Sequence, residues 1–188
     1  KGCRLKDNMR ELEPDTIRTR LLTEEEHGFH EGSSLRKRGD IYYLIYCDTD
    51  RGAATCLSYA VSRSPLGPFE KRGVIIDNAG CDLANWNNHG SLVCFHDQWY
   101  ILYHKACFAL EMGGRKACME PVAFDGNGDI AEVVMTTQGV EGPIDACRRL
   151  EAYRACHFKW AAWHGSGAEL EREVACFYWK EPVAGWRR

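Results

Sequence analysis

Glu31 is the residue around which chemistry would be organised. The stretch from Gly28 to Tyr46 delivers this one acid from a loop to the start of a strand, turns at Gly39-Asp40, and returns through Tyr42-Tyr43-Leu44-Ile45-Tyr46. The returning segment is dense in β-branched and aromatic residues, which suit a pleated, half-buried surface. A carboxylate placed there has a job or a partner; the ordinary fate of an acidic residue, a solvated loop position, is the competing reading. His89 occupies an equivalent place. It directly precedes Gly90-Ser91, as Glu31 precedes Gly32-Ser33, and each pair leads through an apolar strand and a polar turn into an aromatic-rich strand, the second being Trp99-Tyr100-Ile101-Leu102-Tyr103.

The elements that must position these residues read as all-β. Thr16 to Leu22 alternates as a strand does, Glu24-Glu25-Glu26 forms an acidic turn, and Thr55 to Ser62 gives a further strand that Pro65 and Pro68 end. Val74-Ile75-Ile76 is followed by an irregular loop from Asp77 to Asn88, and two more strands span Leu92-Phe95 and Trp99-His104. Arg115 to Phe124 is a strand, and Asp125-Gly126-Asn127-Gly128-Asp129 turns it into Ile130-Val134 as a hairpin. Short strands at this spacing fit a sandwich, barrel or propeller, and one hairpin plan repeated tens of residues apart is how propeller blades look in sequence. Loops then enter each blade at the same edge, so Glu31 and His89 are expected at one end of a central channel. Residues 1–136 are read as a partial β-propeller and residues 137–188 as a linker with the start of a C-terminal β-sandwich-like segment.

Composition narrows the function. The formal charge of -3 offers no basic face for phosphate backbones; Arg36-Lys37-Arg38 and Arg187-Arg188 read as a solvated turn and tail, so nucleic acid is not the expected partner. No run of about eighteen apolar residues exists to span a membrane, and Lys1-Gly2-Cys3-Arg4 does not open as a signal peptide. The ten cysteines are scattered without zinc spacing and several sit in apolar strand patterns. They read as reduced thiols of a cytoplasmic protein, a secreted or periplasmic one being the alternative.

Four pieces in register resemble glycoside hydrolase family 43, the five-bladed β-propeller arabinofuranosidases, xylosidases and arabinanases. They are Glu31-Gly32 with Leu35-Arg36-Lys37-Arg38-Gly39 and Tyr42 to Tyr46; Ala60-Val61-Ser62-Arg63-Ser64-Pro65-Leu66-Gly67-Pro68-Phe69-Glu70; Asn88-His89-Gly90-Ser91 with Trp99 to His104; and Arg115 leading into Phe124 to Ile130. The resemblance covers roughly residues 5 to 135, with about three of the five blades present. It implies an inverting glycosidase cleaving α-L-arabinofuranosyl or β-D-xylosyl linkages of plant cell-wall polysaccharides or oligosaccharides. Glu31 matches the general acid, which must be protonated near neutral pH and face a second carboxylate roughly 6.5–9.5 Å away across the attacking water. Arg115 matches the arginine that reaches sugar hydroxyls. His89 matches a histidine near the propeller axis that contacts calcium directly or through water, a minor share of a site built from oxygens. Phe29 and Trp86 border these loops and could stack on a sugar ring, and Asn88 is a hydrogen-bonding candidate.

The family's base and acid-tuning aspartates lie on blades that precede the matched region, and with thirty residues before Glu31, Asp7 and Asp15 stand in the wrong context to replace them. The chain is therefore expected to be the C-terminal part of a catalytic domain lacking its base, or else a non-catalytic carbohydrate-binding remnant. A related fructan-acting family pairs its acid with a following cysteine, and Gly32 argues against it. Missing blades leave open sheet edges and apolar walls that invite association. The isolated chain is expected to sediment as oligomers or aggregates; a monodisperse monomer in sedimentation velocity would contradict that.

Overall fold

The computed structural model describes residues 1–79, 87–106, 115–136 and 139–141, together with short strands at 157–159, 162–164, 167–169 and 176–178. Two antiparallel meanders carry it. β1 (Phe29–Arg38), β2 (Ile41–Asp48), β3 (Cys56–Ser62) and β4 (Glu70–Asp77) pair in sequence order, and so do β5 (Ser91–Phe95), β6 (Gln98–Ala106) and β7 (Arg115–Val122). The hairpin plan repeated in the sequence is thus one sheet repeated, as a propeller requires. Further along, β8 (His157–Lys159) pairs with β11 (Cys176–Tyr178), and β9 (Ala162–His164) with β10 (Gly167–Glu169).

The two meanders share one core. Tyr43, Ile45, Leu57, Tyr59, Ile75 and Ile76 of the first sheet meet Leu92, Ile101, Tyr103 and Val122 of the second. Each such aliphatic side chain withdrawn from water contributes about 1.5–3 kcal/mol, so this contact is the main force holding blade to blade. It is closed by the turn after β7: Tyr43 Oη donates to Gly128 O at 2.7 Å, and Ile130 N donates to Tyr59 Oη at 2.9 Å. A smaller cluster of Tyr46, Ala60 and Phe69 lies elsewhere, with Leu21, Leu22, Phe29, Leu35, Tyr42 and Leu44 packed on it.

Four sequence expectations change here. Thr16 to Leu22 is no strand: Pro14–Thr16 forms a 3-10 turn and Arg18 makes a single antiparallel bridge to Gly2. Pro14 presets that turn, and Thr16 Oγ1 accepts from Arg4 N at 2.8 Å while donating to Glu13 O at 2.7 Å, so the backbone's polar groups find partners outside a ladder. The acidic turn is one helical turn, α1 (Glu24–His27), capped by Thr23 Oγ1 accepting from Glu26 N and ended by Gly28 at φ +66°. Ile130 to Val134 does not complete a hairpin strand. Beyond the Phe124–Ile130 bridge, Val133 runs parallel to Ile76 and donates its N–H to Ile75 O at 2.7 Å. The free edge of β4 competes better for it, because Arg51 grips Glu132 with two 2.8 Å bonds beside that edge.

The basic run Arg36-Lys37-Arg38 likewise ends β1 instead of forming a turn, with Arg36 and Lys37 exposed as expected. Arg36 Nε donates across to Leu92 O at 3.0 Å, Lys37 lies over the Tyr42 ring, and the Arg38 guanidinium lies 4.2 Å from the Phe124 ring centroid. Cations spent on carbonyls and aromatic faces are fasteners within and between the sheets. Five cysteines among the described residues, Cys3, Cys47, Cys56, Cys94 and Cys118, are free thiols.

Gly90 leaves no room for a side chain: a Cβ there would lie 2.1 Å from Leu102 O of β6 in its own sheet and 2.5 Å from Leu57 Cδ1 of the first sheet. Replacement by alanine is expected to destabilise the chain by about 3 kcal/mol or more, the upper range for overpacking. Gly126→Ala, where a Cβ meets nothing within 4 Å, should stay within about 0.5 kcal/mol. Urea denaturation of both variants checks this, and equal losses would refute the close-approach account.

Candidate active site

β1 and β5 bring the site together although no ladder joins them. Ser34 Oγ and Ser91 Oγ hydrogen-bond at 2.7 Å, so the two Gly-Ser segments that echo each other in sequence lie side by side. Glu31 sits where the β1–β2 register shifts on both sides of it, opposite Cys47, so its side chain is re-aimed by an irregularity in the strand. α1 sets where that strand begins, and Tyr46 Oη donates to His27 O at 2.8 Å to hold the helix in place.

Glu31 Oε1 is met by two groups from the segment before β5. Asn87 Nδ2 donates to it at 3.2 Å, and His89 Nε2 lies 3.2 Å away. Gly32, at φ +49°, makes that approach feasible: a Cβ there would lie 2.9 Å from the His89 ring. Arg115 opens β7 and reaches back, its Nη2 donating to Asn87 Oδ1 at 3.1 Å. Guanidinium, carboxamide and carboxylate thus form one chain of hydrogen bonds. The backbone beneath it is pinned by Asn78, fully buried, whose Nδ2 donates to Asn87 O at 3.1 Å and to His104 O at 2.7 Å.

The electrostatics of Glu31 follow from these partners. The Asn87 amide, with His89 and His30 adding to it, holds the carboxyl below the usual glutamate value against the opposing effect of partial burial. A donor to the charged form favours ionisation, whereas a general acid needs the neutral form. Among the described residues no carboxylate shares Glu31's hydrogen bonds, so the like charge that would raise it is not supplied there. Next to this network His104 is 9% exposed, packs edge-on against His89 with ring centroids 5.8 Å apart, and leaves both ring nitrogens without a hydrogen bond. Burial, with Arg115 and His89 adding repulsion, pushes it down to about 4.

Of the residues singled out in the sequence, Glu31, His89 and Arg115 meet at this network. Asn88 does not: it is fully buried and turned inward, donating from Nδ2 to Thr55 O at 3.0 Å. Its neighbour Asn87 holds the place expected for it, because a strand-like step from one residue to the next reverses the side chain. Phe29, partly buried, packs against Tyr46 of the smaller cluster, ring centroids 5.5 Å apart. Trp86 lies outside the described residues. Calcium takes six to eight oxygens; among the described residues no group of three or more His, Cys, Asp or Glu is disposed to hold a metal, and His89 turns its Nε2 to Glu31. Residue type and spacing do not single out Asn87 or His104. The run Asn87-Asn88-His89-Gly90-Ser91 is the only signal for the first, and nothing separates His104 from other strand-end histidines.

The family model for Glycosyl hydrolases family 43 matches residues 1–130. The chain belongs to glycosyl hydrolase family 43. Among its relatives, a xylosidase/arabinosidase of Thermoclostridium stercorarium is 34% identical over 145 residues, 71% of this chain and 30% of that protein. An arabinoxylan arabinofuranohydrolase of Bacillus subtilis is 29% identical over 147 residues, 72% of this chain and 28% of that one. The crystal structure of a family 43 arabinoxylan arabinofuranohydrolase from B. subtilis in complex with cellotetraose superposes at TM-score 0.60 with 26% identity, covering 85% of this chain and 35% of that structure. A family 43 enzyme from Xanthomonas citri complexed with xylose gives 0.52 with 28% identity, 70% and 40% covered. The chain spans about 30% of the length of the first of these curated relatives.

His104 yields a pH prediction. Its folded pKa is depressed, so between the ordinary histidine value near 6.5 and about 4 the unfolded chain binds a proton that the folded chain does not. Stability from this residue is therefore complete above that window and falls as pH falls through it. Unfolding free energies at pH 7, 5.5 and 4 should decline less steeply in His104→Gln than in the parent chain; parallel profiles would remove His104 as the cause.

Proposed function

We propose that this chain is the acid-bearing part of an inverting glycosidase that acts on α-L-arabinofuranosyl or β-D-xylosyl linkages in arabinoxylan-type polysaccharides or their oligosaccharides. The observation that carries the reading is the Arg115–Asn87–Glu31 chain with His89 alongside, set in a family 43 fold. The names of the xylosidase and arabinofuranohydrolase relatives support the linkage classes, and the xylose complex of the X. citri enzyme supports a pentose as ligand.

In this reading a pentose hydroxyl docks on the Arg115 guanidinium, whose planar fork suits paired oxygens. Glu31 stands ready to give its proton to the departing glycosidic oxygen while water attacks from the opposite face. The partners that Glu31 has here stabilise its carboxylate, so the protonated form requires deeper burial or a negative charge brought close from outside this network, and the attacking water requires a base. In this reading both come from groups that the described residues do not contribute. Support for calcium in this chain is limited to His89, one imidazole for an ion that prefers oxygens. The five free thiols support a reducing, cytoplasmic setting.

Because no carboxylate among the described residues shares the hydrogen bonds of Glu31, a second reading is a carbohydrate-binding module without turnover. In both readings pentose binding depends on Arg115. Hydrolysis of nitrophenyl α-L-arabinofuranoside and β-D-xyloside is expected to be negligible for this chain and for Glu31→Gln alike, since losing base assistance costs about 10² to 10⁴ in rate. Calorimetry should show xylose or arabinose binding that weakens about tenfold in Arg115→Ala, the size of one charge-assisted hydrogen bond. Turnover that Glu31→Gln abolishes would locate a base within these residues; no pentose binding by the parent chain would overturn both readings.

A further inference from the structure

We propose that Asn87 is a positioning residue of this site: its carboxamide couples the guanidinium of Arg115 to the carboxyl of Glu31, so that a pentose hydroxyl seated on Arg115 and the proton-donating oxygen of Glu31 are held in register. The sugar in this statement rests on the glycosidase reading. The coupling itself rests on geometry alone.

Arg115 and Glu31 come from different strands of different sheets, and Asn87 stands between them, accepting from one and donating to the other. A guanidinium can only donate and a carboxylate only accepts, so the amide has a single orientation that satisfies both, with Oδ1 to Arg115 and Nδ2 to Glu31. Asn87 is 4% exposed, and its carbonyl is held by the buried Asn78 at 3.1 Å. The amide therefore turns on a fixed base. When a sugar hydroxyl draws the guanidinium, the movement passes to Oδ1 and so to the N–H on Glu31. Hydrogen bonds joined in a chain through one amide also polarise one another, which couples the two ends beyond their separate strengths. Asn88 is unsuited to this task because its amide is turned to Thr55 O.

The test uses the whole 188-residue chain, labelled with carbon-13 and nitrogen-15, at pH 7. Without sugar, Arg115→Ala should move the Glu31 side-chain carboxyl resonance in the parent chain and leave it in place in an Asn87→Ala background. With xylose or arabinose, both the Arg115 side-chain and Glu31 carboxyl resonances should shift in the parent. In Asn87→Ala only that of Arg115 should shift, with affinity about tenfold lower. Asn87→Gln keeps a neutral acceptor and donor on a longer arm, so it should recover part of both the affinity and the Glu31 response, whereas Asn87→Leu, of similar volume with neither group, should recover neither, a split that a merely structural role would not produce. If Asn87→Ala does not fold, Asn87→Leu serves in the sugar-free comparison. A Glu31 resonance that follows Arg115 equally with and without the Asn87 amide overturns the coupling. A parent chain that binds no pentose overturns the glycosidase reading instead, and the sugar-free comparison still decides the coupling.

Discussion

Everything at the site depends on two strands lying side by side without a ladder between them. β1 and β5 belong to different sheets, and backbone hydrogen bonds do not join them. They are held by side chains: the Ser34–Ser91 hydroxyl pair and the Arg36 donation to Leu92 O, over a shared core of aliphatic and tyrosine side chains. At Glu31 the approach needs a missing Cβ: Gly32 lets the His89 ring come up to β1. A methyl group there meets the ring and pushes His89 off Glu31. Gly90 lets the chain entering β5 lie against Leu102 O of β6 in its own sheet, with Leu57 Cδ1 of the first sheet beside it. The glycines of the two Gly-Ser segments are therefore contact surfaces.

The polar groups at that junction are arranged for holding charge. Asn78 spends its buried amide on two main-chain carbonyls, Asn87 spends its own on Arg115 and Glu31, and Asn88 on Thr55 O. Carboxamides suit such a place because each both donates and accepts and adds no net charge to a desolvated region. The consequence for Glu31 is an ionised acid, and the consequence for His104 is a neutral base. Both states follow from local causes, a donor in the first case and burial in the second. Proton donation by Glu31 needs the opposite bias, which deeper burial or a further negative charge would give.

Much of this fold is legible in the residue pattern. Alternating and aromatic-rich runs mark the strands, the repeated hairpin marks the repeated sheet, and the order of the motifs marks the family. What misleads is local and has a common reason. Thr16 to Leu22 alternates, but Pro14 and Thr16 offer the chain a turn that satisfies its polar groups without a strand. Arg36-Lys37-Arg38 looks only solvated because sequence does not show that Leu92 O of the second sheet and the Phe124 ring lie within reach. Asn88 looks placed for the site because adjacency in a motif says nothing of which way a side chain turns.

By itself the sequence determined most of the strands, their up-and-down order, the repeated Gly-Ser plan, and the residues Glu31, His89 and Arg115 that the fold then brings together. These are properties of residue type and short-range pattern. Only the tertiary structure decided that Asn87 and not Asn88 links acid to arginine, that His104 is shut in beside His89 without a hydrogen bond to its ring, and that Val133 runs along β4. Each of those depends on which groups from distant strands arrive within hydrogen-bonding reach. The packing of one sheet on another sets that distance, and no local pattern encodes it.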